Sequence, residues 1–214
     1  MTCPQCVGIE DMFDDEHAED ELRRYRRKGA RRTTRILIRE LASYGVKGKT
    51  VLDIGGGVGA LHLALLKAGA DHAIDVDASA GFLRAAQKEA SRRRFASRVT
   101  YVHGDFVDLA HDTPHADIVA LDKVVCCYPD AQALLDSSAD HTGQALGLVY
   151  PRDGWISKLV NWAFNLRWVR MTDGFKTYVH SRQRVEEALA SRGLQLTRRI
   201  LVGFWQVVVF SRPR

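Results

Sequence analysis

Four aspartates follow or close short apolar runs in a way that could build a ligand site. They are Asp53 in Val51-Leu-Asp-Ile-Gly-Gly-Gly-Val-Gly59, Asp77 in Asp75-Val-Asp-Ala-Ser79, Asp105 in Gly104-Asp-Phe106, and Asp122 in Leu121-Asp-Lys123. An apolar run bounded by glycines reads as a buried parallel strand. Open α/β sheets bind ligands beyond the carboxyl ends of their strands, where all four acids fall. Gly55, Gly57 and Gly59 let the backbone turn tightly and approach a ligand more closely than any Cβ permits. Residues Ala60 to Gly69 read as a helix stopping at glycine, and its N-terminus favours an anionic group. An acid ending the second strand can accept both hydroxyls of a ribose.

Two cofactor classes use such a turn. Gly55, Gly57 and Ala60 satisfy the dinucleotide pattern G-x-G-x-x-G/A. Asp53 before the first glycine, with the extra Gly59, resembles instead the D-x-G-x-G-x-G of class I S-adenosyl-L-methionine (SAM) methyltransferases. By that resemblance Asp77 holds the ribose, with Asp75 as the alternative. Asp105 accepts from the adenine amino group, Phe106 packs on the ring, and Asp122 lines the methionine end. SAM carries a sulfonium and no phosphate, which suits an acid-lined pocket, and no Arg or Lys immediately follows Asp77 to take a phosphate.

The elements that must position these residues follow from periodicity. Residues 10 to 45 read as helical, broken at Gly29, and form an N-terminal cap over 1–45. From Thr50 strands alternate with helices: His72–Val76, a helix capped by Ser79 running towards Ala96, Val99–His103, Ala116–Leu121, a helix after Pro129-Asp130, then Ala145–Tyr150. This alternation predicts a parallel sheet with right-handed crossovers. Helix Gln183–Ser191 and strands Leu196–Val202 and Trp205–Phe210 close the chain, the last two joined tightly through Gly203-Phe204 and so antiparallel. The expected architecture is an α/β, Rossmann-like class I methyltransferase fold over residues 46–214, with a mostly parallel seven-stranded sheet and an antiparallel last strand. Within it, residues 151–179 form a lid-like insertion. There Trp155, Leu159, Trp162, Leu166 and Val169 recur at helical spacing, suiting a lid, a helix packed on core, or a membrane-surface element.

Composition sets bounds. The 214 residues allow one domain with a sizeable core, and 46% hydrophobic and 27% charged residues suit a globular protein. Neither a transmembrane run nor a secretory signal is read from the sequence, so a cytoplasmic location is expected. Net charge is +5, with an acidic stretch from Glu10 to Glu21 followed by eight basic residues between Arg23 and Arg35. Such a block suits a solvated helix with its macrodipole complemented, or contact with nucleic acid. Four cysteines occur as Cys3/Cys6 and Cys126/Cys127. One C-x-x-C is half a zinc site, so no metal is expected, and the second pair reads as thiols near the pocket.

Asp117-Ile-Val-Ala-Leu-Asp-Lys-Val-Val-Cys-Cys-Tyr-Pro129 and Tyr178-Val-His-Ser-Arg-Gln-Arg-Val-Glu-Glu-Ala-Leu189 resemble the magnesium-protoporphyrin O-methyltransferases and their relatives. The family's His-Tyr-Pro is Cys127-Tyr128-Pro129 here, and Met12 stands where it has a tyrosine, which implies a changed acceptor. The resemblance implies methyl transfer from SAM to a small-molecule acceptor, at a carboxylate or hydroxyl oxygen, by in-line displacement. His180 and Tyr128 are the candidate catalytic groups, with Asp122 third. An RNA methyltransferase and a non-catalytic SAM-binding protein are the alternatives.

Overall fold

Alternation of strand and helix from Thr50 onward builds one seven-stranded sheet in the order β3-β2-β1-β4-β5-β7-β6. The strands are β1 (Thr50–Ile54), β2 (His72–Asp77), β3 (Val99–His103), β4 (Ala116–Asp122), β5 (Thr142–Pro151), β6 (Gln195–Val202) and β7 (Trp205–Ser211). β1 to β5 pair in parallel, and β7 runs antiparallel to both β5 and β6. The structure, a computed structural model, describes residues 13–168 and 176–213. Cys3, Cys6, Met12 and Val169 lie outside the described residues.

Successive residues of the central strands feed cores on opposite faces, as a pleated strand dictates. Leu52, Val119 and Leu121 pack on one face with α6 (Ala131–Asp140) and α8 (Arg182–Ser191). Val51, Ile118 and Ala120 pack on the other, with α2 (Arg32–Ala42) and α3 (Ala60–Lys67). Both faces of the parallel strands are covered, which explains their nearly unbroken apolar runs.

The N-terminal segment forms α1 (Asp15–Lys28) and α2, separated at Gly29. Asp14 caps α1 by accepting the His17 N–H at 2.9 Å, acids occupy its first turn and bases its last. Ala18, Leu22 and Tyr25 pack against Phe82 and Ala85 of α4 (Ala80–Arg92). Arg84–Asp15, Lys88–Glu19 and Arg26–Glu89 pairs join the same two helices. Of the arginine block, Arg26 is tied to α4 in this way, while Arg24 and Arg31 pair with Glu21.

Helix α4 ends at Arg92 rather than continuing towards Ala96. The chain closes it with Phe95 N–H donating to Ala90 O, five residues back, at 2.8 Å and Arg94 at φ 63°, a helix-ending hydrogen bond with a left-handed residue in the turn. The insertion contains α7 (Trp155–Trp168), but its apolar stripe does not face the core. Trp155, Leu159, Trp162 and Leu166 are all at least half exposed, while Ser157 on another side is buried. Among the described residues no helix is long and apolar enough to cross a membrane.

Candidate cofactor and active site

β1 delivers the chain into Gly55-Gly56-Gly57 directly above a buried polar row. A Cβ at position 56 would lie 2.4 Å from Asp75 Oδ1 and 3.1 Å from Asp53 Oδ2, so only glycine fits there. Gly57 needs glycine for a different reason. Its φ is +57°, while a Cβ would only touch Phe82 at 3.7 Å. The Gly57 N–H donates to Asp77 Oδ2 at 3.0 Å, and the Ser79 N–H donates to Asp77 Oδ1 at 2.9 Å. Burial pushes the Asp77 carboxyl up to about 6, against the pull of those two N–H donors.

Beneath the loop, Asp53 Oδ2 lies 2.9 Å from His62 Nδ1, with both side chains inaccessible to solvent. Asp75 sits 4.0 Å from the same ring nitrogen. Its carboxyl is pushed well above the ordinary range by burial and by the Asp53 and Asp77 charges. His62 interrupts the apolar run Ala60-Leu-His-Leu-Ala-Leu-Leu66 of α3. That lone polar residue of the run, on the helix following Asp53, was the signal that could have placed it in the site.

A cavity of about 300 Å³ opens over this loop. Its floor is Asp53, Gly55, Gly56, Gly57 and Val58, with Phe82 at one side and Asp122 and Lys123 at the end of β4. Phe13, His17, Glu21 and Arg24 of the α1 segment, with Arg31 and Thr34, form the opposite wall. Burial would raise the Glu21 carboxyl, but the Arg24 and Arg31 guanidiniums outweigh it and hold it below its usual value. The Thr34 hydroxyl donates to Asp122 Oδ2, and Lys123 Nζ lies 3.0 Å from Asp122 Oδ1. Lys123 adopts φ +70°, uncommon for a residue with a side chain, and its ammonium sits 5.8 Å above the Trp205 ring. None of these α1 and α2 contributions is visible in the local sequence pattern.

The remaining candidates form a second group. Asp105 caps the short helix α5 (Phe106–Leu109), accepting the Val107 N–H at 2.9 Å. It also accepts the Tyr128 hydroxyl, at 2.9 and 2.8 Å to its two oxygens. His180 Nε2 lies 3.2 Å from Tyr128 O, and the Tyr178 ring stacks on the imidazole at 5.9 Å. Burial lowers the His180 pKa, against the pull of the Tyr128 and Val125 carbonyls, and so favours the neutral ring. Phe106, expected on the adenine ring, is instead 3% exposed in the core, edge-on to His141 at 5.3 Å. Capping by Asp105 turns the first residue of α5 inward, where its ring fills core volume.

Gly59 starts α3 at φ +77° and is set back from the cavity lining. Cys126 and Cys127 lie with sulfurs 3.9 Å apart, and each points at Lys123 O. The neighbouring thiol and burial push Cys126 well up, so it is a poor nucleophile at neutral pH. Among the described residues no group of three His, Cys, Asp or Glu could hold a metal ion.

The site thus offers strand-end acids and a glycine cradle. Asp53 Oδ1 is a buried acceptor with no hydrogen-bond partner among the described residues. The lining sets the acids Asp53, Glu21 and Asp122 beside the bases Arg24, Arg31 and Lys123, with Glu21 held between the two arginines and Asp122 beside Lys123.

Residues 51–143 match the family described as a methyltransferase domain. The ribosomal protein L11 methyltransferase of Photorhabdus laumondii is 33% identical over 128 residues, covering 56% of this chain and 43% of that protein. The Alteromonas mediterranea enzyme of the same name is 34% identical over 113 residues, covering 50% and 39%. The chain therefore spans less than half the length of these curated relatives. Magnesium protoporphyrin IX methyltransferase from Synechocystis PCC 6803 with bound SAH superposes with a TM-score of 0.75 at 20% identity, covering 96% of this chain and 98% of that one. An O-methyltransferase family protein from Burkholderia thailandensis gives 0.72 at 17% identity, covering 94% and 61%. At these identities the superpositions establish the fold.

Proposed function

We propose that this chain, a class I SAM-dependent methyltransferase by its fold and by the methyltransferase domain of residues 51–143, moves a methyl group from SAM to an oxygen of a small-molecule acceptor. The observation that supports the cofactor half is the hydrogen bond from the Gly57 N–H, on the cavity floor, to Asp77, which is not itself among the lining residues. Bound SAM supplies a methyl group on a sulfonium, whose departure as a neutral thioether needs no acid.

In this reading Asp77 accepts the ribose hydroxyls, and Gly55 to Gly57 let the backbone approach. Asp122, steadied by Thr34 and Lys123, faces the amino-acid end. Asp105 turns towards the base while its carboxylate also holds Tyr128. Acceleration then comes chiefly from fixing donor and acceptor in line, a contribution of about 7–11 kcal/mol for well-oriented reactants. A carboxylate acceptor needs no base. A hydroxyl acceptor would draw on His180, whose neutral form burial favours, or on Tyr128, whose proton already points at Asp105.

A protein acceptor is the second reading, favoured by the similarity to L11 methyltransferases. An RNA acceptor has less support: Arg23, Arg24, Arg26 and Arg31 are all engaged with Asp20, Glu21 or Glu89. The test is turnover to S-adenosylhomocysteine with three acceptor pools: a small-molecule extract, ribosomal proteins, and total RNA. Turnover with the first alone supports the proposal. Turnover only with protein or RNA overturns the acceptor, and none with any pool favours a non-catalytic SAM-binding protein.

A further inference from the structure

Helix α7 is inverted relative to an ordinary surface helix. Its polar residues Asn161 and Asn165 face inward and clamp one residue, Thr177. Both side-chain amides donate to Thr177 O, at 2.9 and 2.8 Å. The Thr177 N–H donates to Asn165 Oδ1 at 2.9 Å, and the Thr177 hydroxyl to Asn161 Oδ1 at 2.7 Å. The apolar stripe is left outside, with Trp155 74%, Leu159 54%, Trp162 63% and Leu166 50% exposed. These residues are spaced 4, 3 and 4 apart, so they share one face. A contiguous apolar face of this kind marks an interaction surface.

Charge and side-chain type select the occupant. In sequence, residues 152–176 hold five basic residues, Arg152, Lys158, Arg167, Arg170 and Lys176, against two acids, Asp153 and Asp173. A second copy of the chain would bring the same positive charges against themselves, whereas anionic headgroups complement them. Tryptophan is enriched at the bilayer interface, and a basic helix with an apolar face lies in that plane. At 14 residues α7 is about 21 Å long by its rise per residue, too short to span the bilayer. We propose that α7 docks this face on an anionic membrane surface. The Thr177 clamp continues through the Tyr178 N–H, which donates to Cys126 O at 2.7 Å. Docking therefore sets the membrane beside the loop that carries Tyr128.

Flotation of the full chain with vesicles of phosphatidylglycerol and phosphatidylcholine tests this, read together with tryptophan emission. Recovery with the anionic vesicles, a blue shift of emission, and release by salt are expected. Lys158→Gln should weaken partition about fivefold, the share of one basic residue near an anionic surface. Trp155→Gln with Trp162→Gln should weaken it at least tenfold, with circular dichroism and SAM affinity unchanged to show an intact fold. Equal binding to both lipids overturns the electrostatic part. No binding to either vesicle overturns the proposal, as does concentration-dependent dimerisation by light scattering that the double variant abolishes.

Discussion

Asp77 and Gly57 are joined across 20 residues by a single hydrogen bond, the Gly57 N–H donating to Asp77 Oδ2 at 3.0 Å. The acid assigned to the ribose is therefore also the acid that holds the glycine loop in shape. Its other oxygen accepts the Ser79 N–H, so one carboxylate orders the ends of both β1 and β2.

That double role makes Asp77→Ala a loss of loop order and of ligand contact together. Asp77→Asn separates them. An amide of the same shape keeps an acceptor for one N–H but turns a donor towards the other. We expect Asn to leave thermal stability within about 1 kcal/mol, typical of one net hydrogen bond, while SAM affinity falls at least tenfold. Calorimetry on both variants checks this, and an Asn variant with wild-type affinity would remove Asp77 from the site.

Burial raises the Asp77 carboxyl to about 6 in the ligand-free protein. With a folded value above the unfolded one, neutral Asp77 favours the folded state at low pH, and that contribution is lost as pH rises through about 6. Hydroxyl donors from a bound ribose favour the carboxylate and pull the value down. SAM affinity should then weaken below pH 6, by up to tenfold per unit, with proton release on binding near pH 6. Titrations in two buffers of different ionisation enthalpy read that proton directly; a flat profile from pH 5 to 8 contradicts the assignment.

Gly56 and Gly57 should fail differently when substituted. Gly56→Ala drives a Cβ to 2.4 Å from the fully buried Asp75, an overpacking defect of about 1–3 kcal/mol. Gly57→Val has room beside Phe82 but forces φ +57° on a branched residue, a strain of about 1–2 kcal/mol. The first variant should show mainly a lowered melting temperature. The second should stay folded and lose SAM binding.

Glu89, fully buried, ties α1 to α4 through Arg26 while also holding Arg92 and Arg93. Burial would raise its carboxyl, but the three guanidiniums hold it down at about 2. The depressed value means that the stabilisation is present above the unfolded carboxylate range and is lost as pH falls from about 4.5 towards 2. Glu89→Gln should cost about 1–3 kcal/mol by leaving charged partners less satisfied. It should also raise hydrogen exchange in α1 before the sheet. Exchange that rises equally everywhere would show that the clamp is not local to the cavity wall.

Much of this architecture was legible because its signals are local. Glycine spacing, Asp53, and strands read to end at 76, 103 and 121, within a residue of their ends in the structure, mark both the sheet and the glycine loop, and Gly203-Phe204 marks the antiparallel β7. The cavity wall was not, since Glu21, Arg24, Arg31 and Thr34 reach it only through packing of α1 and α2. Lys123 gave no sign of its left-handed backbone. Phe106 illustrates the limit from the other side: an aromatic next to a site acid serves the core equally well. On α7 the spacing showed which residues share a face, but the Asn161–Thr177–Asn165 clamp decided which face looks inward.

The central claim is that the crevice between the Gly55–Gly57 loop and α1 holds the nucleoside shared by SAM and S-adenosylhomocysteine through Asp77. Calorimetric titration of the wild-type protein at pH 7.5 with S-adenosylhomocysteine and, separately, with NAD tests it most directly. One-to-one binding of S-adenosylhomocysteine that Asp77→Asn weakens, with no heat from NAD, is the predicted result. Binding of NAD, or of S-adenosylhomocysteine indifferent to position 77, would contradict it.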